Sequence, residues 1–240
     1  RPRAGRAPRQ GTTTQAKTNM PTERPFQIAL CVLYTCFTIL RLRYRRVARE
    51  SLPLLIRDGG DARRLGALIP YEVATFFLYL LAAPTLAWAG VPLPASVRWA
   101  GAGLGLAALA LFVWVHRSLG ANYSWLLRVR EQHTLITHGP YRWVRHPMYT
   151  AFYLLHIAVA LLSANAFIGL TWLGGLTLVL AGRVREEEAM LTGAFGVAYA
   201  RYMERTGRFL PRLRVRYLYE QWRAFVARRH RAQARPSDKA

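Results

Sequence analysis

The sequence predicts an all-α, polytopic transmembrane protein with about five membrane helices. Three observations carry that prediction. Hydrophobic residues make up 52% of the chain and gather in long runs, not at the recurring spacing of a soluble helix face. The 34 Lys and Arg against 12 Asp and Glu, a formal net charge of +22, fall mainly between and after those runs. That is the distribution of loops kept on the cytoplasmic side opposite anionic lipid, and it argues against nucleic acid as the partner. Third, no Gly-x-Gly-x-x-Gly follows a strand pattern, so a Rossmann-type domain is not expected.

A bilayer core about 30 Å thick asks for about 20 apolar residues per helix, and five runs come near that length. The first, Phe26 to Leu40, is short and stops at Arg41, Arg43, Arg45 and Arg46, so it either spans or lies at the interface. Cys31 and Cys36 sit in it on different sides of a helix and are expected as buried packing residues, not as a metal or redox pair. The second run, Leu65 to Gly90, holds one acid, Glu72; an acid inside the membrane is costly, and a position near the interface is expected for it. The third, Val97 to Val115, opens at Arg98 and closes at His116 and Arg117. After a polar connector, 117–145, come Pro147 to Leu162 and Ala164 to Gly182, separated only around Ser163 to Asn165. So short a link implies an antiparallel hairpin with both outer ends on one side of the membrane.

The chain thus divides into a disordered basic tail (1–24), an N-terminal membrane region (25–116), a region that carries the chemistry (117–211, with the hairpin at 147–182) and a basic C-terminal tail (212–240). The last of these, with Arg228, Arg229, Arg231 and Arg235, suits anionic lipid headgroups. Arg41 to Arg64 carries eight basic residues and Ala89 to Ser96 none, so the first loop, the 117–145 connector and the chain after 182 are expected in the cytoplasm. Six basic residues before Pro25 oppose that topology; a start at Met20 would leave only Arg24 and remove the conflict.

Chemistry is concentrated in two blocks, HTLITHGPYRWVRHPMY (133–149) and RVREEEAMLTGAFGVAYARYMERTGRFLP (183–211). Gly139-Pro140 signals a turn, and Pro147 opens a helix at the position where its missing N–H costs nothing, with His146 at the cap. The open N–H groups of such a helix start attract an anionic group, and the Tyr141 and Tyr149 ring faces attract a cation. Arg183 and Glu187 are four apart on one helix face leaving the membrane, where they suit two oppositely charged ligands side by side. Phe195, Tyr199 and Tyr202 continue as an aromatic stripe whose plainest reading is packing. His133, His138 and His146 are spaced five and eight apart, no common metal-ligand pattern, and no metal is expected. His138 reads as a loop residue and His156 as packing within the hairpin.

The two blocks resemble the C-terminal region of the isoprenylcysteine carboxyl methyltransferase family, itself more distantly similar to phospholipid N-methyltransferases. The resemblance covers roughly Asn122 to Pro211. It implies that S-adenosyl-L-methionine is bound on the cytoplasmic side by His133, Thr134, Leu135, Ile136, Tyr141, His146, Pro147, Met148, Tyr149 and Glu187. It also implies that Arg183 faces the methyl acceptor, with Arg183 and Glu187 as the catalytic pair. Leu126 and Leu127 depart from the polar residues that family members often carry before the His133 strip.

The expected reaction is methyl transfer to a lipophilic acceptor that enters from the bilayer, most simply a carboxylate, which is already a nucleophile at neutral pH and needs only to be oriented by Arg183. An amine or thiol acceptor would need a base, for which Glu186 and Glu188 are candidates. Phospholipid or small-amine N-methylation, thiol S-methylation and a non-enzymatic membrane scaffold are the alternatives. In a bacterial chain, which the Ala/Arg-rich composition suggests, the location would be the inner (plasma) membrane. A small isoprenoid acid, a lipid or a thiol would then replace a CaaX-derived prenylcysteine as acceptor.

Overall fold

The computed structural model describes residues 20–50, 61–120 and 134–212. Six α-helices hold most of them: α1 (Met20–Glu50), α2 (Asp61–Leu81), α3 (Ala95–Leu119), α4 (Pro147–Ser163), α5 (Ala166–Phe195) and α6 (Val197–Arg205). No β-strand occurs among the described residues. Segments Glu23–Arg46, Ala95–Leu119 and Ala166–Phe195 are long and apolar enough to cross a membrane, and Ala67–Leu81 and Pro147–Ser163 are shorter apolar helices. The protein is an integral membrane protein. Ile28, Val32, Ile39, Leu106, Leu170 and Leu178 are each more than half exposed, a surface that water would penalise and lipid accepts.

Each helix follows the apolar runs, with shifts that have physical causes. Helix α1 begins at Met20, so residues 20–24 are helical and not part of a disordered tail. It is held there by Arg98 of α3, whose guanidinium donates a fork of hydrogen bonds to Glu23 at 2.7 Å each, lies 3.8 Å over the Phe26 ring, and donates to Leu162 O at 2.8 and 3.1 Å. One buried cation thus satisfies the end of α4 and the start of α1. The long second run breaks after Leu81 into a 3-10 turn, Ala83–Ala89, with Pro84 in its first turn. That turn closes the hairpin tip: Asn165 caps α5 by accepting from Ile168 N at 3.1 Å, and its Nδ2 donates to Leu86 O at 2.9 Å.

Helix α3 packs most extensively on α4, and small residues permit the approach. A β-carbon at Gly101 would meet Leu161 Cβ of α4 at 2.7 Å, and toward α1 one at Gly105 would meet the Leu33 side chain at 2.5 Å. Helices α4 and α5 form the expected antiparallel hairpin, turning through Ala164 in the left-handed region (φ 46°). Trp172, Leu30, Leu162, Ile168 and Val159 are buried in the apolar centre between them and α1.

Two expectations are corrected. Cys36 is exposed on the lipid-facing side of α1, because the helix turns that position away from its neighbours. Glu72 is buried midway along α2, not near its start, and His156 of α4 meets it there: His156 Nε2 and Glu72 Oε1 are 3.0 Å apart. His156 Nδ1 faces Phe152 O at 2.8 Å, so His156 joins α2 to the hairpin instead of packing only within it. Nearby, Trp172 Nε1 donates to Thr75 Oγ1 at 2.8 Å.

Candidate active site

At the end of the bundle away from the hairpin tip, the chain entering α4 meets the chain leaving α5. Residues Gly139–Arg142 form a 3-10 turn that leans on α3, with Gly139 at φ 59°; a β-carbon there would meet Ser118 Oγ at 2.4 Å. His146 is the N-cap of α4 and Pro147 its first residue, as the sequence implies. Residues 206–212 return as a strap across this start. Arg145 N donates to Gly207 O at 2.8 Å, His146 N to Arg208 O at 3.0 Å, and Thr150 Oγ1 to Phe209 O at 2.8 Å. Gly207 is required for that return, because a side chain there would collide with Leu210 O.

Under the strap lies a continuous polar network. Tyr149 Oη donates to Glu187 Oε2 at 2.6 Å and accepts from Arg183 Nε at 3.0 Å. His146 stands between two acids, with Nδ1 3.6 Å from Glu187 Oε2 and Nε2 3.1 Å from Glu188 Oε1. Glu188 also accepts from Arg145 Nε at 3.0 Å and from Arg208 Nη2 at 2.5 Å. Arg145 Nη1 in turn donates to Met203 O and Thr206 O, which holds the end of α6. Burial alone would push the His146 imidazolium pKa down, but the Glu187 and Glu188 carboxylates outweigh it and hold the group above its ordinary value. Below the network, Leu176, Leu180 and Val184 pack with Tyr149, Tyr153 and Phe209 in an apolar cluster that continues toward the membrane.

The sequence-derived site residues separate into those the fold joins and those it sets apart. Arg183, Tyr149, Glu187 and His146 form one network, although Tyr149 and Glu187 are 38 positions apart. Pro147 is buried beside it, and half-buried Met148 packs on the main core. Tyr141 is half-buried, and its carbonyl accepts from Tyr202 Oη at 2.6 Å. Thr134 is exposed, and Leu135 and Ile136 are half-buried, all in irregular chain. His133, Leu126 and Leu127 lie outside the described residues. Reasoning from sequence missed Arg145 and Arg208, and it offered Glu188 only as a candidate base, not as the buried acid that joins them. Glu188 is buried while Glu186, the other candidate base, is exposed. The available signal was the helical turn itself, which sends three consecutive acids in three directions.

Residues 101–193 match the family model of the isoprenylcysteine carboxyl methyltransferases (ICMT), a stretch that holds most of this network. Over that stretch the chain is similar to the family. Among curated relatives, this chain is 29% identical over 94 residues to protein-S-isoprenylcysteine O-methyltransferase of Tribolium castaneum, covering 38% of this chain and 34% of that protein. It is 30% identical to the human enzyme of the same name, covering 38% and 33%, and 30% identical to protein-S-isoprenylcysteine O-methyltransferase A of Arabidopsis thaliana, covering 38% and 48%. The match therefore spans between a third and a half of the length of these relatives. The solved structure of the eukaryotic intramembrane Ras methyltransferase ICMT aligns with a TM-score of 0.58 at 18% identity, over 79% of this chain and 68% of that one. At that identity the likeness is one of fold.

Proposed function

We propose that this protein belongs to the ICMT family and transfers a methyl group from S-adenosylmethionine to the carboxylate of a lipophilic acceptor, with the cofactor on the cytoplasmic side. The observation that carries the reading is the joined Arg183, Tyr149 and Glu187 at the membrane boundary. Glu187, His146 and Tyr149 would hold the cofactor: a carboxylate suits its cationic amino acid part, and a tyrosine ring face suits a sulfonium. When bound, the cofactor supplies an electrophilic methyl whose bond to sulfur breaks as the bond to the acceptor oxygen forms. The protein's task is then to bind, orient and exclude water. Arg183 orients the acceptor carboxylate and offsets its burial. Tyr149, accepting from Arg183 and donating to Glu187, keeps the two charged groups in fixed register.

A carboxylate acceptor is favoured over an amine or a thiol because the acids that would serve as base are committed elsewhere. Glu188 is held by Arg145, His146 and Arg208, and Glu186 faces outward. The apolar cluster of Leu176, Leu180, Val184 and Phe209 gives a lipophilic acceptor its approach from the bilayer.

The test uses purified full-length protein in nanodiscs with labelled S-adenosylmethionine and, separately, a prenylcysteine analogue or phosphatidylethanolamine. We expect a base-labile methyl ester on the carboxylic acid. Arg183→Ala should lower turnover at least about 100-fold with cofactor affinity within about threefold of wild type. Absence of cofactor binding in calorimetry, or methylation only of the amine, would overturn the reading.

A further inference from the structure

Tyr199 lies in the wall of the site and takes no part in the network above. Its ring stands 5.9 Å from that of Tyr202, whose hydroxyl is bonded to Tyr141 O, and the far end of α6 is pinned by Arg145. Tyr199 is therefore carried on a helix that is tied to the 139–146 segment. It is 1% exposed, yet its hydroxyl has no hydrogen-bond partner. Native proteins rarely leave a buried hydroxyl unsatisfied, and the exceptions gather where a ligand, a reacting group or an ordered water completes the set.

The surroundings identify which of these it is. The charges that act on this hydroxyl are those of Glu188 and Arg145 in the network and of Glu187 in the cofactor cradle, and yet no carboxylate oxygen accepts its proton. Tyr202, three residues on and at the same wall, is already satisfied by the chain. One tyrosine of the pair thus serves the fold, and the other keeps a buried donor within the field of those charges with nothing to receive it.

We propose that the Tyr199 hydroxyl is a binding group for the methyl donor, giving a hydrogen bond to an acceptor atom of S-adenosylmethionine seated against Glu187. The proposal rests on the cofactor reading above. Burial, with the nearby Glu188 and Glu187 carboxylates adding to it, pushes the Tyr199 pKa up, so the proton stays on oxygen and the group is a donor at neutral pH. Its desolvation is already met in the ligand-free fold. The bond made on binding therefore carries little further cost, and the ligand-free protein is the less stable for it.

The experiment compares wild type, Tyr199→Phe and Tyr202→Phe, each as the full chain in nanodiscs, by two measurements that need no turnover: calorimetric affinity for S-adenosylmethionine and for S-adenosylhomocysteine, and melting temperature without ligand. Tyr199→Phe should bind both molecules about five- to tenfold more weakly. Its ligand-free melting temperature should equal or exceed that of wild type. Tyr202→Phe, which loses a bond already made, should melt lower and so proves that the melting measurement responds to a lost hydroxyl. Equal affinities in wild type and Tyr199→Phe would overturn the proposal, as would a lower ligand-free melting temperature of Tyr199→Phe, which would give the hydroxyl a structural partner such as a water. A wild type that binds neither molecule would instead sink the cofactor reading and this proposal with it.

Discussion

The Glu72–His156 pair and the Glu187–Tyr149–Arg183 network are both acid-containing contacts between helices of the same bundle, yet they are built to different ends. The first closes on itself. His156 offers one ring nitrogen to Phe152 O and the other to Glu72, and both side chains are less than a tenth exposed. The second stays open on one side: Glu187 keeps 27% of its side chain exposed, Arg208 stands half in solvent, and the buried Tyr199 hydroxyl is unsatisfied. A closed polar pair inside apolar packing fixes which helices meet. An open one retains capacity for something that arrives later. The contrast separates structural from functional charge without reference to position in the sequence.

The largest effect should come from breaking the closed pair. His156→Ala leaves Glu72 buried without its partner and is expected to cost about 3–5 kcal/mol of stability, while the fraction that folds binds cofactor as wild type does. A melting curve and a binding isotherm on the same preparation check both halves. If affinity collapses with stability intact, the two networks are not separate in role. Next, Glu187→Ala should weaken S-adenosylmethionine binding by about 100-fold, equivalent to about 2.7 kcal/mol, with a small change in melting temperature. Unchanged affinity would remove Glu187 from the cofactor cradle.

A smaller and more specific effect lies in pH. Because the His146 pKa is raised in the fold by Glu187 and Glu188, the stabilisation it contributes is complete below its unfolded value of about 6.5 and fades as pH rises through the raised folded value. The margin in melting temperature of wild type over His146→Gln should therefore shrink between pH 6 and pH 9. A margin that grows over that range contradicts the two-carboxylate environment. The smallest effect is expected for Arg208→Ala. Its side chain is 48% exposed, and Glu188 keeps Arg145 and His146, so the loss should be at most about 1 kcal/mol and should fall further in high salt.

Much of this arrangement is legible in the chain, and what is not has a common cause. The helices of the bundle follow the apolar runs because membrane thickness dictates length and lipid tolerates no open backbone. His146, Pro147, Tyr149, Arg183 and Glu187 are legible because a capped proline start and an i, i+4 pair are local patterns, and because they stand in two blocks that resemble a known family. The partners of Glu188 are not local: Arg145 is 43 positions away and Arg208 is 20, and only the closing of the hairpin and the strap sets their distances. Glu72 and His156, 84 positions apart, fail for the same reason, since an acid in an apolar run reads as interfacial until its partner is known. Exposure within lipid is likewise hidden, as Cys36 illustrates, because an apolar helix hydrophobic on all sides carries little information about which side faces a neighbour.

The strap has a consequence for biogenesis. Gly207, Arg208 and Phe209 supply carbonyls that receive Arg145, His146 and Thr150, so the roof over α4 is contributed by chain that leaves the ribosome after the hairpin has been made. The pair α4 and α5 can enter the bilayer while their charged ends still lack that roof. Assembly of the networked end is thereby deferred until insertion is under way, and a nascent chain halted before residue 206 would carry its hairpin with an unfinished network.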